Sequence, residues 1–177
     1  MKKVEEISGR FLFDEKQHFP KWLTVFMISP VMITVGVTLA LGLGGESDLG
    51  ELFLVLGIII PLQAVMYYLF RVSRLEKVVT SNGLYFRWPP LQRKYRLLEA
   101  GEIDSIEIKK APTLQYGAKR VPGYGKAHSV SDGRGTQVYL HNGKKIFFGT
   151  AKPEEFFDAI QKMKTAAKPE TYGWIKR

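Results

Sequence analysis

The chain has 177 residues and no cysteine, which excludes a disulfide framework, a thiolate nucleophile and a thiolate metal site. Apolar residues concentrate between residues 22 and 70, whereas charged residues concentrate at the two ends. Residues 71–177 contain 21 Lys and Arg but only 10 Asp and Glu. This excess of positive charge favours an anionic neighbour, which could be nucleic acid, an acidic protein or anionic lipid.

Two long apolar runs follow an N-terminal segment of residues 1–21. Neither the first run, residues 22–43, nor the second, residues 52–70, contains a charged residue. At 1.5 Å per residue, helices of these lengths span about 33 and 28 Å, close to the thickness of a bilayer core. Because the linker of residues 44–51 is short, we predict that residues 22–71 form an antiparallel transmembrane hairpin. No signal-peptide cleavage pattern of small residues follows the first run, so we expect this run to remain in the mature protein.

The distribution of positive charge predicts the orientation of this hairpin. Lys and Arg flank both runs on the side of the chain termini, but the linker of residues 44–51 contains neither. We therefore predict a two-pass protein with both termini in the cytoplasm and the linker outside. A soluble protein with two buried helices is the alternative, although its helices average only about 11 to 12 residues and keep a polar stripe.

After residue 71 the pattern changes to short segments rich in β-branched and aromatic residues. Two Asn-Gly turns are flanked by such segments, which predicts two hairpins: residues 78–80 with 84–86, and residues 137–140 with 146–148. Residues 94–97 and 103–108 predict two further strands. Five glycines and two prolines predict a long irregular loop over residues 109–135, with one short strand near 127–130.

The last predicted element is an amphipathic helix that begins near Pro153. Glu154 and Glu155 stand early in this helix, where negative charge opposes the helix dipole. One face is apolar and must be buried on the sheet; it contains Phe156, Phe157, Ile160 and Met163. We predict a helix of about 12 to 15 residues that completes a β domain over residues 72–166. A basic tail, residues 167–177, follows it.

Antiparallel strands followed by one C-terminal amphipathic helix resemble the pleckstrin-homology architecture. Two apolar runs, then VVTSNGLYFRWPPLQRKYRLLEAGEIDSIEI, then GKAHSVSDGRGTQVYLHNGKKIFFGTAKPEEFFDAI resemble a family of uncharacterised bacterial membrane proteins with two N-terminal transmembrane helices and a pleckstrin-homology-like domain. The resemblance covers nearly the whole chain. It implies an α+β fold, with a two-helix transmembrane hairpin before a mostly antiparallel β domain, and a location in the bacterial inner membrane. It implies no activity and no catalytic residue.

Motifs that suggest catalysis are poor matches. Residues 123–126 do not complete a phosphate-binding Walker loop, which requires Gly where Arg120 stands and Ser or Thr where Ala127 stands. His128, Ser129 and Asp132 are too close in sequence for the geometry of a nucleophilic triad. The three histidines are dispersed, without acidic residues at ligand spacing. We therefore predict no catalytic, cofactor-binding or metal-binding residue, and no enzymatic activity.

The Gly-rich part of the predicted loop, residues 117–135, combines positive charge with aromatic rings. This composition suits a phosphorylated headgroup or an anionic peptide. The candidate contacts are Lys119, Arg120, Tyr124, Lys126 and Arg134. An ordinary solvated basic loop is the alternative, since the positive-inside rule places such charge in any cytoplasmic domain. Nucleic acid is not an expected partner, because the membrane anchor would hold the basic domain at the bilayer.

The sequence thus predicts a membrane-anchored, non-enzymatic interaction module. Its partners would be the bilayer itself and either anionic lipid headgroups or a membrane protein. A structural subunit of a larger membrane complex is the alternative, and an enzyme acting at the membrane surface ranks last.

Overall fold

The computed structural model describes residues 1–43, 49–111, 116–130 and 133–167. The chain divides into two compact units. One unit, here called the β unit, combines Met1–Gln17 with the chain from Arg74 onward. The other, the helical unit, contains His18–Ser73 and is therefore an insertion within the β unit.

The helical unit consists of helices α1 (Lys21–Leu43) and α2 (Leu49–Val72). The two predicted helices are confirmed, although α2 begins three residues before the predicted run. The predicted linker of residues 44–51 is shorter for that reason, and its residues 44–48 lie outside the described residues. Ring centroids of Phe19 and Phe70 are 5.3 Å apart, which places the start of α1 beside the end of α2.

Apolar side chains cover the outside of both helices. Phe26 on α1 and Phe53 on α2, for example, are 60% and 73% exposed. Each helix is long and apolar enough to cross a membrane. Helices in the core of a soluble protein would instead bury most of this surface.

The described part of the β unit contains ten strands in two five-stranded sheets. The first sheet is formed by β1 (Lys2–Val4), β2 (Phe11–His18), β3 (Arg74–Thr80), β4 (Gly83–Arg87) and β5 (Tyr95–Glu99), in the order β1-β5-β4-β3-β2. The second is formed by β6 (Ile103–Lys110), β7 (Gly117–Val121), β8 (Gly125–Ser129), β9 (Arg134–Leu140) and β10 (Lys145–Gly149), in the order β6-β9-β10-β8-β7.

The fold class is α+β, as predicted. Both predicted Asn-Gly hairpins are present, as the antiparallel pairs β3–β4 and β9–β10. The segments predicted at residues 94–97 and 103–108 correspond to β5 and β6. One described pairing differs from the antiparallel pattern, because β8 and β10 run parallel.

Residues 1–21 do not form a separate segment before the helices, contrary to the domain boundaries drawn from the sequence. Strands β1 and β2 lie at the two edges of the first sheet and belong to the β unit. The inward positions of β2 are Phe13, Glu15 and Gln17. Two of these three inward residues are polar. The sequence of β2 therefore lacks the alternation of apolar and polar residues that predicts a half-buried strand.

Residues 109–135 do not form the predicted irregular loop, although the short strand predicted near residues 127–130 corresponds to β8. The described part of this range contains the hairpin β7–β8, joined by a turn at residues 122–124, and the ends of β6 and β9. Strand β7 has one buried residue, Val121, because it is an edge strand. The second partner of β8 is β10, and the two strands run parallel. Because they are not consecutive in the sequence, no turn motif between them indicates this pairing. Residues 112–115 and 131–132 lie outside the described residues.

The core lies between the sheets and is covered by helix α3 (Pro153–Ala167), which begins where the sequence predicts. Phe156 is fully buried, and its ring lies 5.2 Å from Phe13 of the first sheet and 6.1 Å from Phe148 of the second. The helix therefore joins both sheets through one apolar face. Of the predicted tail, residues 168–177 lie outside the described residues.

A buried ion pair links β2 to β3. Lys77 is completely buried, and its Nζ lies 2.7 Å from Oε2 of Glu15. Glu15 also accepts hydrogen bonds from Oγ1 of Thr150 at 2.6 Å and from the backbone N–H of Ala151 at 3.0 Å. Lys77 donates to the carbonyl of Gly149. The pair thus connects the first sheet to the segment between β10 and α3.

The pair is ionised at neutral pH. Burial lowers the pKa of Lys77 to about 8, which leaves the ammonium protonated. Burial opposes ionisation of Glu15, but the Lys77 charge and the hydrogen bonds outweigh it and hold the pKa of Glu15 below its usual value. Because the folded-state pKa of Glu15 is lowered, its contribution to stability is present near neutral pH and is lost as the pH falls through that pKa.

We expect Glu15→Gln to lower the free energy of unfolding by about 3 kcal/mol, because it leaves the Lys77 ammonium buried without a counter-charge. Lys16→Gln is the matched control, since Lys16 is exposed on the same strand. Urea unfolding of the purified full-length protein in detergent, followed by near-UV circular dichroism, measures both changes. Equal stability of the two variants would contradict the structural role of the pair.

Candidate functional site

The structure separates the residues that the sequence proposed as anion contacts. Arg120 and Lys126 are Cα partners across the β7–β8 pair. Lys119 lies on the opposite face from Arg120, because side chains alternate along a strand. Arg134 begins β9, two strands away from β8, and its Nη1 lies 2.9 Å from Oε1 of Glu154. Only Arg120 and Lys126 are therefore brought together.

Tyr124 is engaged within the fold. It lies in the β7–β8 turn, with its ring edge-on to Phe147 at a centroid distance of 5.5 Å. Its hydroxyl donates to the carbonyl of Lys110 at 3.2 Å, and its own carbonyl accepts from Nε2 of Gln137 at 3.0 Å. These contacts hold the turn on a small second core of Ala111, Val121, Ala127 and Phe147.

Arg96 of β5 is a member of the site that sequence reasoning missed. Burial, and then the charges of Arg96 and Arg120, lower the pKa of Lys126, so the first sheet contributes a cation to the hairpin of the second. We call Arg96, Arg120 and Lys126 the cation cluster. Within the described residues, none of the three forms an ion pair with a carboxylate.

The cation cluster is electrostatically unfavourable without an anion. Like charges directly opposite each other destabilise a strand pair, and Arg120 and Lys126 occupy such positions. Arg134 and Lys94, by contrast, each have a carboxylate within 2.9 Å. A bound anion would relieve the repulsion in the cluster, whereas it would have to compete with Glu154 or Glu5 at those two residues.

His128 lies inward of Lys126 on the same face of β8. Its ring is buried and stacks on Phe148 at 5.6 Å, and its Nδ1 accepts a hydrogen bond from Nε1 of Trp88 at 2.9 Å. Burial, and then the charges of Lys126 and Arg96, lower the pKa of His128 to about 3. The imidazole is therefore neutral near pH 7.

His128 does not join the triad whose residue types occur in the sequence. Ser129 follows it on the strand and therefore points to the opposite face, and Asp132 lies outside the described residues. The described ranges also contain no group of three His, Asp or Glu side chains able to hold a metal ion.

A pocket of about 450 Å³ adjoins the cluster at the β7–β8 turn, lined by Arg120, Val121, Pro122, Gly123, Gly125 and Lys145. Gly123 and Gly125 both have positive φ angles, 79° and 73°. A side chain at Gly125 would overlap the backbone carbonyl of Lys145, whereas one at Gly123 would meet open space. The absence of a side chain at Gly125 therefore allows β8 to approach β10.

We expect Gly125→Ala to destabilise the protein more than Gly123→Ala. Both substitutions carry the cost of a positive φ angle, about 1 kcal/mol, so this term cancels between them. The overlap with Lys145 adds about 1 to 3 kcal/mol at Gly125 alone. Urea unfolding of the two purified variants measures the difference, and equal losses would mean that the close approach of β8 to β10 is not needed.

Comparison of the chain with protein-family models, with curated proteins and with solved structures found no match. The family resemblance drawn from the sequence therefore stays a prediction. The described residues themselves offer a three-cation cluster built from both sheets, next to a pocket and to a neutral, buried histidine.

Proposed function

We propose that this protein is a membrane-anchored, non-enzymatic interaction module that binds the phosphate of anionic lipid headgroups through its cation cluster. In this proposal α1 and α2 cross the bacterial inner membrane, and the β unit lies on the cytoplasmic side. The observation that carries the proposal is the absence of a carboxylate partner for Arg96, Arg120 and Lys126 within the described residues.

Three observations support a membrane hairpin. Both helices have the length and composition of membrane spans, and their apolar side chains are exposed. The strands before and after them, β2 and β3, are neighbours in one sheet, which requires an even number of crossings. Lys and Arg flank the helices on the β-unit side, while residues 44–51 have none, which favours a cytoplasmic β unit.

We also propose that the β unit is pleckstrin-homology-like. Its support is the order of elements, in which antiparallel hairpins precede a C-terminal helix that covers the core between the sheets. The two N-terminal strands and the parallel β8–β10 pair would then be additions to that plan.

The chemistry of the cluster suits a phosphate ester. A guanidinium group presents parallel N–H donors that match phosphate oxygens, and an ammonium adds a compact positive charge. Two arginines and one lysine supply both kinds of contact. Anionic lipids also concentrate near the cytoplasmic surface to which the helices would hold the β unit, so this ligand would always be within reach.

We expect the double variant Arg120→Gln, Lys126→Gln to bind a short-chain phosphatidylglycerol at least about tenfold more weakly than the wild type. The reason is that each charge-assisted hydrogen bond contributes about 1.5 to 3 kcal/mol. Isothermal titration calorimetry of full-length protein in a non-ionic detergent provides the measurement. The double variant Arg134→Gln, Lys152→Gln is the matched control, because it also removes two positive charges and Glu154 and Glu155 already compensate them.

Short-chain phosphatidylcholine and inorganic phosphate complete the design. The proposal predicts that phosphatidylcholine binds the wild type more weakly than phosphatidylglycerol does. Tighter binding of inorganic phosphate than of phosphatidylglycerol would identify a soluble phosphate compound as the ligand instead. Equal losses in the cluster variant and in the control variant Arg134→Gln, Lys152→Gln would contradict a specific role for the cation cluster.

A further inference from the structure

The turn between β4 and β5 presents an exposed leucine at its tip. Leu91 is 79% exposed, more than any other large apolar residue described in the chain. Outside the helical unit, Met1 and Phe11 are the other large apolar residues so exposed among those described, at 47% and 64%. One exposed leucine is ordinary in a protein surface, so the surroundings of Leu91 decide its meaning.

The base of this turn is fixed to the core. Trp88 is buried and donates to His128, and its carbonyl accepts a hydrogen bond from the backbone N–H of Gln92 at 2.6 Å. The carbonyl of Pro89 accepts from the backbone N–H of Arg74 at 3.2 Å. Because the turn is already ordered on both sides of its tip, inserting Leu91 into another phase would carry little further ordering cost.

Cations surround the leucine. A pocket of about 210 Å³ is lined by Lys3, Leu91, Gln92, Arg93, Lys94 and Arg96. Lys94 is paired with Glu5, but Lys3, Arg93 and Arg96 have no carboxylate partner among the residues that the structure describes. An apolar tip within a rim of unpaired cations is typical of surfaces that enter the interface of an anionic bilayer.

This surface is continuous with the cation cluster. Lys3 and Arg96 are Cα partners across β1 and β5, a second pair of like charges directly opposite each other. Arg96 also lowers the pKa of Lys126 and therefore belongs to both groups. Arg96 thus belongs to one like-charge strand pair beside the exposed leucine, and its charge also acts on Lys126, which belongs to the other.

We propose that the β4–β5 turn is a lipid-inserting wedge, with Leu91 below the headgroups of an anionic bilayer and Lys3, Arg93 and Arg96 on lipid phosphates. This inference rests on the proposed function and deepens it, because it assigns penetration of the bilayer to one residue. A bilayer is favoured over a free phosphate compound, since a free phosphate would give the apolar tip no contact.

The test uses the absence of cysteine from the natural chain. Leu91→Cys in the full-length protein is labelled with a nitrobenzoxadiazole fluorophore, whose emission reports the polarity around it. Gln161→Cys is the matched control, because Gln161 is exposed on α3. Both proteins are reconstituted into phosphatidylcholine vesicles with and without phosphatidylglycerol, and lipids carrying a doxyl quencher on the acyl chain are then added. Circular dichroism before reconstitution checks that both variants are folded.

The proposal expects a shift of emission to shorter wavelength and quenching at position 91 in vesicles that contain phosphatidylglycerol, with neither change at position 161. Equal quenching at both positions would overturn it, because the β unit would then contact lipid without a preferred tip. A shift produced by poly-glutamate and not by anionic lipid would also overturn it and would assign the turn to an acidic protein.

The outcome separates the wedge from the function on which it rests. In one outcome, the fluorophore at position 91 reports water while the unlabelled protein still binds phosphatidylglycerol more tightly than phosphatidylcholine in calorimetry. That result would contradict the wedge and leave the proposed headgroup site in place. If position 91 stays in water and that preference is also absent, both the wedge and the proposed function fail.

Discussion

Glu15 lies on the last strand before the helical unit and Lys77 on the first strand after it, and their buried ion pair joins the two sides of the insertion. Glu15 also accepts hydrogen bonds from Thr150 and Ala151, in the segment just before the C-terminal helix. Breaking one partner would leave a charge in the interior, which is far more costly than losing a surface ion pair. Both flanks of the helices are thereby kept in one folded unit, and this constraint makes a hairpin the consistent arrangement for a membrane-spanning insertion.

The cation of the buried pair has a counter-charge, whereas the cations of the cluster have none among the described residues. Lys77 is neutralised inside the fold by Glu15, whereas Arg120 and Lys126 face each other without a carboxylate within the described residues. His128 stays neutral beneath them and adds no further positive charge. A bound anion would therefore lower the electrostatic repulsion within the cation cluster. Under the proposed function such a site need only be weak, because a membrane ligand of a tethered domain would be present at an effective concentration of about millimolar or higher.

Local signals in the sequence predicted the elements that depend on local chemistry. Long uncharged runs, Asn-Gly turns and the acidic start of α3 are each visible in one contiguous stretch of sequence, and the helices and hairpins follow them. Three features escaped prediction because they depend on distant partners. Glu15 occupies an inward position of β2 next to the Lys77 ammonium, β8 pairs with the later strand β10, and the charge of Arg96 in the first sheet lowers the pKa of Lys126 in the second. Of the five predicted anion contacts, the structure brings together two.

The most direct measurement of the central claim is the labelling of two single-cysteine variants with a membrane-impermeant maleimide in spheroplasts. Lys144→Cys lies on the exposed β9–β10 turn of the β unit, and Ser47→Cys lies in the linker between α1 and α2. Anchoring by a two-helix hairpin with a cytoplasmic β unit predicts that Ser47→Cys reacts in intact spheroplasts and that Lys144→Cys reacts only after lysis. Equal reactivity of both variants in intact spheroplasts, or recovery of the protein in the soluble fraction without detergent, would contradict the account.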